Sequence, residues 1–265
     1  MTVAIACTVA GSDSGGGAGI QADLKTFAAC RVYGCSAIVA LTAQNTLGVR
    51  AVQVVAPDII AAQIDAIAED LPPGAWKTGM LASEEVIEVV VDRLVAHHAQ
   101  HLVVDPVMIA KSGTALLQPG AVAALRRLLL PMAEIVTPNL PEVHALTGIE
   151  VRSAVDARDA ARVIAAMGPR VVVVKGGHAG TDPVVDLVFI RDPGSWQELS
   201  YPRVAGTSTH GTGCTFSAAI AAYLARGLGP MEAVEEARSY VQGALQRAPG
   251  LGRGHGPLGH LPMDS

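Results

Sequence analysis

His210-Gly211-Thr212-Gly213-Cys214-Thr215-Phe216-Ser217-Ala218-Ala219 is the stretch on which the reading of this chain turns. Glycines crowd the start of an apolar, alanine-rich helix, so several backbone N–H groups converge where the helix macrodipole already favours an anion. A thiol, Cys214, sits in the first turn of that helix. The partial positive charge of a helix start lowers a cysteine pKa and makes a reactive thiolate. An anion hole and an activatable side chain therefore share one turn.

Outward from that turn, short β-branched runs alternate with longer alanine-rich amphipathic stretches. This is the pattern of βα units around a parallel sheet whose strands are buried on both faces. Strands are predicted near residues 3–9, 36–41, 75–78, 101–104, 134–136 and 170–174. Helices fall between them, near 21–29, 57–70, 83–97, 119–130, 142–148 and 155–167. A late pair of strands, 184–190 and 196–201, is joined by Asp192-Pro193-Gly194-Ser195 and reads as an antiparallel hairpin. Two more helices, 214–226 and 230–246, follow, and a glycine- and histidine-rich tail over 249–262 is irregular. No repeat or low-complexity linker divides the chain, so residues 1–265 are expected to form a single α/β domain.

Composition narrows the function. Half of the 265 residues are hydrophobic and 16% are charged, which suits one large core. The net charge of -5 and the absence of a basic cluster give no surface for nucleic acid, and 3% aromatic content gives no stacking platform. Met1-Thr2-Val3-Ala4-Ile5-Ala6-Cys7 has no basic segment before its apolar residues, so no signal peptide is expected. The uncharged span 32–49 is interrupted by Thr42, Gln44, Asn45 and Thr46 and reads as a buried strand with its loops, not as a membrane helix. Cys7, Cys30, Cys35 and Cys214 fit neither metal spacing nor a disulfide framework, so the expected setting is cytoplasmic and reducing, without a membrane.

Open α/β sheets bind ligands beyond the carboxyl ends of their strands, and the polar residues of this chain collect there. Gly11-Ser12-Asp13 follows the first strand, Gln44-Asn45 the second and Lys77-Thr78-Gly79-Met80 the third. Asp105-Pro106, Thr137-Pro138-Asn139 and Lys175-Gly176-Gly177-His178 follow the next three. The loop 11–19, with five glycines in nine residues, fits neither G-x-G-x-x-G nor a P-loop. It reads either as a flexible connection or as backbone lying close to a small ligand. Asp105 is either a helix cap or a magnesium acid. Asn139 and Glu142 have capping-box spacing, and Glu142 is equally a candidate for holding Mg²⁺ through water. Lys175 either snorkels to solvent or, with the double glycine after it, meets a phosphate. A phosphate hole, a cation, two acids and a potential base together suit phosphoryl transfer. The histidines at 97, 98 and 101 read as solvent-facing, those at 255 and 260 as ambiguous, and no metal is assigned to them.

These segments, together with Thr42-Ala43-Gln44-Asn45-Thr46 and Gly252-Arg253-Gly254-His255-Gly256-Pro257-Leu258, resemble the ribokinase-like superfamily. Within it the resemblance is to the hydroxymethylpyrimidine/phosphomethylpyrimidine kinases of thiamine biosynthesis, and it covers nearly the whole chain. It implies a three-layer αβα sandwich, a mostly parallel central sheet with an antiparallel hairpin at one edge, and a homodimer. It implies ATP as phosphoryl donor and Mg²⁺, and leaves a monovalent cation open. In the superfamily the anion hole usually ends in an aspartate base; Cys214 stands there, as in hydroxymethylpyrimidine kinases and some pyridoxal kinases. By the same resemblance Gln44 and Asp23 contact the pyrimidine, with Gly11, Met80 and Val107 lining its pocket. Asn139 and Glu142 lie near magnesium and phosphate, and Asp105 and Lys175 lie beside the triphosphate. Gly211 and Gly213 give amides to the transferred group, and Cys214 is the base, unless the alcohol loses its proton late to the phosphoryl group. The rival readings are a pyridoxal kinase of the same fold, a non-catalytic sensor of the pyrimidine or nucleotide, and a cysteine hydrolase using His210.

Overall fold

The computed structural model describes residues 3–109, 113, 116–118, 120–179 and 182–260. The readings made for Met1, Thr2, Pro119, Leu261 and Pro262 fall outside them.

The strands are β1 (Ile5–Asp13), β2 (Tyr33–Asn45), β3 (Gly48–Val54), β4 (Ala75–Thr78), β5 (Leu102–Val104), β6 (Ile135–Val136), β7 (Val171–Val174), β8 (Val184–Ile190) and β9 (Ser195–Tyr201). They form one sheet in the order β3-β2-β1-β4-β5-β6-β7-β8-β9. The six strands from β2 to β7 in that order run parallel, because helical crossovers return the chain to the same edge each time. The expected hairpin, β8 and β9, closes one edge. The other edge carries an antiparallel strand that the sequence reading omitted. β2 runs past the predicted 36–41 to Asn45 and turns back as β3, pairing from Ala40↔Val54 to Asn45↔Gly48. Gln44 and Asn45 therefore lie within a strand, not after one.

The central strands divide their side chains between two cores, as an αβα sandwich requires. Val103, Ile135, Val171 and Val173 face α1 (Gly19–Ala29), α7 (Thr212–Ala225) and α8 (Pro230–Gln246). Val104, Val136, Val172 and Val174 face α2 (Pro57–Asp70), α3 (Glu84–Ala96), α5 (Leu140–Thr147) and α6 (Ala154–Ala165). Period-two alternation thus produces runs that look uniformly apolar, since both faces are buried. The predicted helix 119–130 is a short α4 (Ala121–Ala124), a π turn (Leu125–Leu129) and a 3₁₀ turn (Leu130–Met132). Pro131 lacks an N–H and crowds the carbonyl four residues back, so the chain cannot continue as an α-helix past it.

The tail is irregular but anchored. His255 and Gly254 donate backbone N–H groups to Thr46 O and Oγ1 at 2.9 and 3.3 Å, and Gly256 O accepts the His210 N–H at 3.0 Å. His260, buried, meets Thr215 Oγ1 at 2.9 Å. Residues 254–260 thereby lace the β2–β3 turn to the start of α7. Among the described residues no helix is long and apolar enough to cross a membrane.

Candidate active site

A cavity of about 610 Å³ opens beyond the carboxyl ends of the strands, where the polar strand ends were expected to converge. Its floor is the start of α7. Gly211 is the N-cap at φ 80°, with no side chain capping the helix, so first-turn N–H groups remain for an anion. A Cβ on Gly211 would lie 1.9 Å from Gly17 O. Gly17 in turn leaves no room against His210, where its Cβ would sit 2.6 Å from Cδ2. The glycines at 17 and 211 therefore serve the close packing of two turns of backbone.

Three sequence candidates meet at the next step of the helix. A Cβ on Gly213 would lie 3.2 Å from Lys175 Nζ and 3.5 Å from Asp105 Oδ2. Lys175 Nζ is 2.9 Å from Asp105 Oδ1 and 3.9 Å from Glu142 Oε2, so Lys175 does not snorkel to solvent. No helix follows Asp105 directly; its carboxylate is held by Lys175, by Thr137 Oγ1 at 3.3 Å and by Ser217 Oγ at 3.4 Å. Asn139 and Glu142 form a complete capping box on α5, Asn139 N–H donating to Glu142 Oε2 at 2.8 Å and Glu142 N–H to Asn139 Oδ1 at 2.9 Å. The cap and the cavity wall are the same residues. Burial pushes the Glu142 carboxyl up to about 7, with Asp105 adding to the rise and Lys175 opposing it. Lys175 is held in its charged form because its two carboxylate neighbours outweigh burial.

Cys214 lines the cavity beside these groups, but its ionisation departs from expectation. Burial, with Asp23 and Asp105 adding, pushes the thiol up to about 11 against the opposing pull of Lys77 and a backbone hydrogen bond from Gly19. A helix start contributes roughly half a positive charge, which burial, joined by the two carboxylates, overcomes. Asp23 is a second correction. It is fully buried, 2.8 Å from Lys77 Nζ, and accepts from Thr8 Oγ1 at 2.7 Å. It is not among the residues lining the cavity. Placed behind the wall, it keeps Lys77 charged and does not reach a ligand in this arrangement.

Gln44, Gly11, Met80 and Val107 do line the cavity together. Gly11 N–H donates to Met80 O at 3.2 Å, and a Cβ on Gly11 would strike Met80 Cε at 2.5 Å, so the glycine seats the methionine. Beside them stand residues the sequence reading did not assign. Asp13 accepts N–H groups from Gly15, Gly17 and Ala18 at 2.8, 3.1 and 2.9 Å and lies 2.9 Å from His210 Nε2. Burial would raise its pKa, but His210 and the backbone donors outweigh that and hold the carboxyl below its usual range. Asp-x-Gly-x-Gly-Ala is the only sequence sign of this nest. Lys77, a charge inside Ala75-Trp76-Lys77-Thr78, was a visible anomaly in an apolar strand. Asp186, a charge inside the apolar strand β8, carried the same sign, and Arg238 carried none; they pair at 3.0 Å on the cavity wall, with the Arg238 Nε–H not aligned for a hydrogen bond.

A doubly covered α/β sheet with a cation, paired carboxylates and an open helix start at its carboxyl edge defines a phosphotransferase that works on small molecules. A sequence profile described as phosphomethylpyrimidine kinase matches residues 13–259. The hydroxymethylpyrimidine/phosphomethylpyrimidine kinase of Bacillus subtilis is 46% identical, over 98% of this chain and 96% of that one. The thiamine biosynthesis bifunctional protein ThiED of Geobacter sulfurreducens is 47% identical over 96% of this chain, which spans 51% of that longer protein. An ADP complex of Bacillus subtilis pyridoxal kinase superimposes with a TM-score of 0.90 at 36% identity, covering 98% of both chains. This chain belongs to the phosphomethylpyrimidine kinase family.

Proposed function

We propose that the cavity transfers the terminal phosphoryl group of ATP to 4-amino-5-hydroxymethyl-2-methylpyrimidine and then to its monophosphate, feeding thiamine diphosphate synthesis. The observation that carries this is the meeting of Gly213, Lys175 and Asp105 at the uncapped start of α7, in the same cavity as Gln44. Phosphoryl transfer needs mainly positioning and charge neutralisation, and this end of the cavity offers both. Gln44 presents a planar donor–acceptor pair to the aminopyrimidine edge, between walls formed by Gly11, Met80 and Val107. Asn139 and Lys175 face the triphosphate with Asp105 beside it, and the amides of Gly211 and Gly213 take the transferred group.

The donor set suits Mg²⁺. Among the described residues no three His, Cys, Asp or Glu side chains are placed to hold a metal, and magnesium needs only one or two carboxylates when water and phosphates complete its shell. Asp105 and Glu142 would supply them, and the ion would neutralise charge on the phosphates. Cys214, a thiol in the resting site, positions the substrate hydroxyl, and the hydroxyl proton leaves late with the transferred phosphoryl group. A homodimer belongs to the same reading and rests on the family resemblance, whereas one domain over residues 1–265 rests on the lack of a repeat or linker in the sequence and a cytoplasmic location on its cysteine usage. Asp23 supports the site through Lys77.

Incubating the purified protein with ATP, Mg²⁺ and each pyrimidine tests this: ADP should form with both, and no ADP with either would end it. The structural likeness to pyridoxal kinase favours one rival. Pyridoxine also carries a ring hydroxymethyl group but cannot return both hydrogen bonds of Gln44, so kcat/KM should favour the aminopyrimidine.

A further inference from the structure

Gln44, Thr42, His210 and Asp13 form a hydrogen-bonded cluster on the cavity wall whose protons can be counted. The carboxamide end assigned as Gln44 Nε2 lies 3.2 Å from His210 Nε2, and the end assigned as Oε1 lies 3.1 Å from Thr42 Oγ1. His210 Nε2 is also 2.9 Å from Asp13 Oδ2, and Thr42 Oγ1 is 2.9 Å from Ser12 O.

This assignment carries two conflicts. Asp13 accepts three backbone N–H groups and is ionised, so His210 must bring a proton to Asp13 on Nε2; that same nitrogen cannot then accept from an amide N–H. The single hydroxyl proton of Thr42 is asked for by both Ser12 O and Gln44 Oε1. A half-turn of the carboxamide, which exchanges two atoms of similar size, removes both conflicts. Gln44 Oε1 then shares the His210 Nε2–H with Asp13, the amide N–H donates to Thr42 Oγ1, and Thr42 donates to Ser12 O. The imidazole has no freedom to avoid this role. Gly17 packs against its Cδ2, Pro257 lies beside the pair, and the His210 N–H is tied to Gly256 O at 3.0 Å.

We propose that His210 is a positioning residue that fixes the polarity of the Gln44 carboxamide, and so selects a ring edge with an exocyclic amine beside an unprotonated ring nitrogen. The amine meets the carbonyl on the His210 side and the ring nitrogen meets the N–H on the Thr42 side. The proposal rests on the aminopyrimidine reading above.

The test compares 4-amino-5-hydroxymethyl-2-methylpyrimidine with its 4-oxo counterpart, whose edge has donor and acceptor exchanged. Wild type should prefer the amino compound. His210→Leu should lower the amino-to-oxo ratio of kcat/KM roughly tenfold or more, through KM for the amino compound with KM for ATP unmoved. His210→Gln, which keeps an N–H near the Nε2 position, should return the ratio to within about threefold of wild type. An unchanged ratio in His210→Leu, an equal loss in both variants, or a wild type indifferent to the exchange overturns the proposal. Should His210→Leu not fold, neutron diffraction on the wild-type protein decides. Deuterium on His210 Nε2 and on the amide end facing Thr42 supports the proposal, and a deuterated amide end facing His210 overturns it. If wild type phosphorylates neither pyrimidine, the proposed function fails while the neutron result still judges the proton arrangement.

Discussion

Cys214 shows how far a motif can mislead at the scale of one residue. Its place at a helix start promised a thiolate, yet burial and the carboxylates of Asp23 and Asp105 push the thiol up to about 11. Alkylation of Cys214 by iodoacetamide should therefore be slow at pH 7 and accelerate continuously up to about pH 11. A rate already at its plateau at pH 7 would restore the thiolate. Cys214→Ala should lose about a hundredfold in kcat, and Cys214→Ser, which keeps a hydroxyl to hold the substrate, should lose less. Glu142 shifts in the same direction, with a different consequence. Its carboxyl is raised by burial to about 7, so its contribution to stability is present at low pH and lost as pH rises through that value. For the same reason Mg²⁺ must displace a proton from Glu142 below about pH 7. The apparent Mg²⁺ affinity in turnover assays should fall about tenfold per unit there, and Glu142→Gln should remove that slope. The spacing of Asn139 and Glu142 was legible because a capping box is local. The pKa of Cys214 was not, because it depends on carboxylates 191 and 109 residues earlier in the chain.

At the scale of elements, the site depends on the contact between the glycine loop before α1 and the turn before α7. Gly211 combines φ 80° with a Cβ position 1.9 Å from Gly17 O. Gly211→Ala should therefore cost about 2 kcal/mol or more, seen as a lower urea midpoint, and should reduce kcat with it. A variant with unchanged midpoint and turnover would show that the two turns do not bear on one another. The buried strands were readable because residues such as Val171–Val174 are apolar on both faces. β3 was not. Arg50, Ala51, Val52 and Gln53 are exposed, and a solvated edge strand carries no burial pattern to read. The helix predicted over 119–130 stops just before Pro131, but its change from α to π winding over Leu125–Leu129 left no mark in the apolar run.

For the whole molecule, the order of polar strand ends along the chain was enough to locate the cavity, since a parallel sheet sends every carboxyl end to one edge. Pairings across the fold were beyond it: Asp13 and His210 stand 197 residues apart. The buried Lys77–Asp23 pair is the clearest such case for stability, joining β4 to α1 with both side chains fully enclosed. Lys77→Met alone should destabilise by about 3–5 kcal/mol in urea, because it leaves Asp23 buried without its cation. Lys77→Met with Asp23→Leu should cost less than the sum of the two single changes; strict additivity would deny the coupling. The tail that ties Thr46 to Gly254 and His255, and His210 to Gly256, has a consequence during synthesis. A growing chain can assemble every strand of the sheet once Tyr201 has left the ribosome, yet His210 acquires its last neighbour only when Pro257 emerges. The residues that line the cavity end at Leu245, so the wall of the site is synthesised before the segment that seats His210 within it.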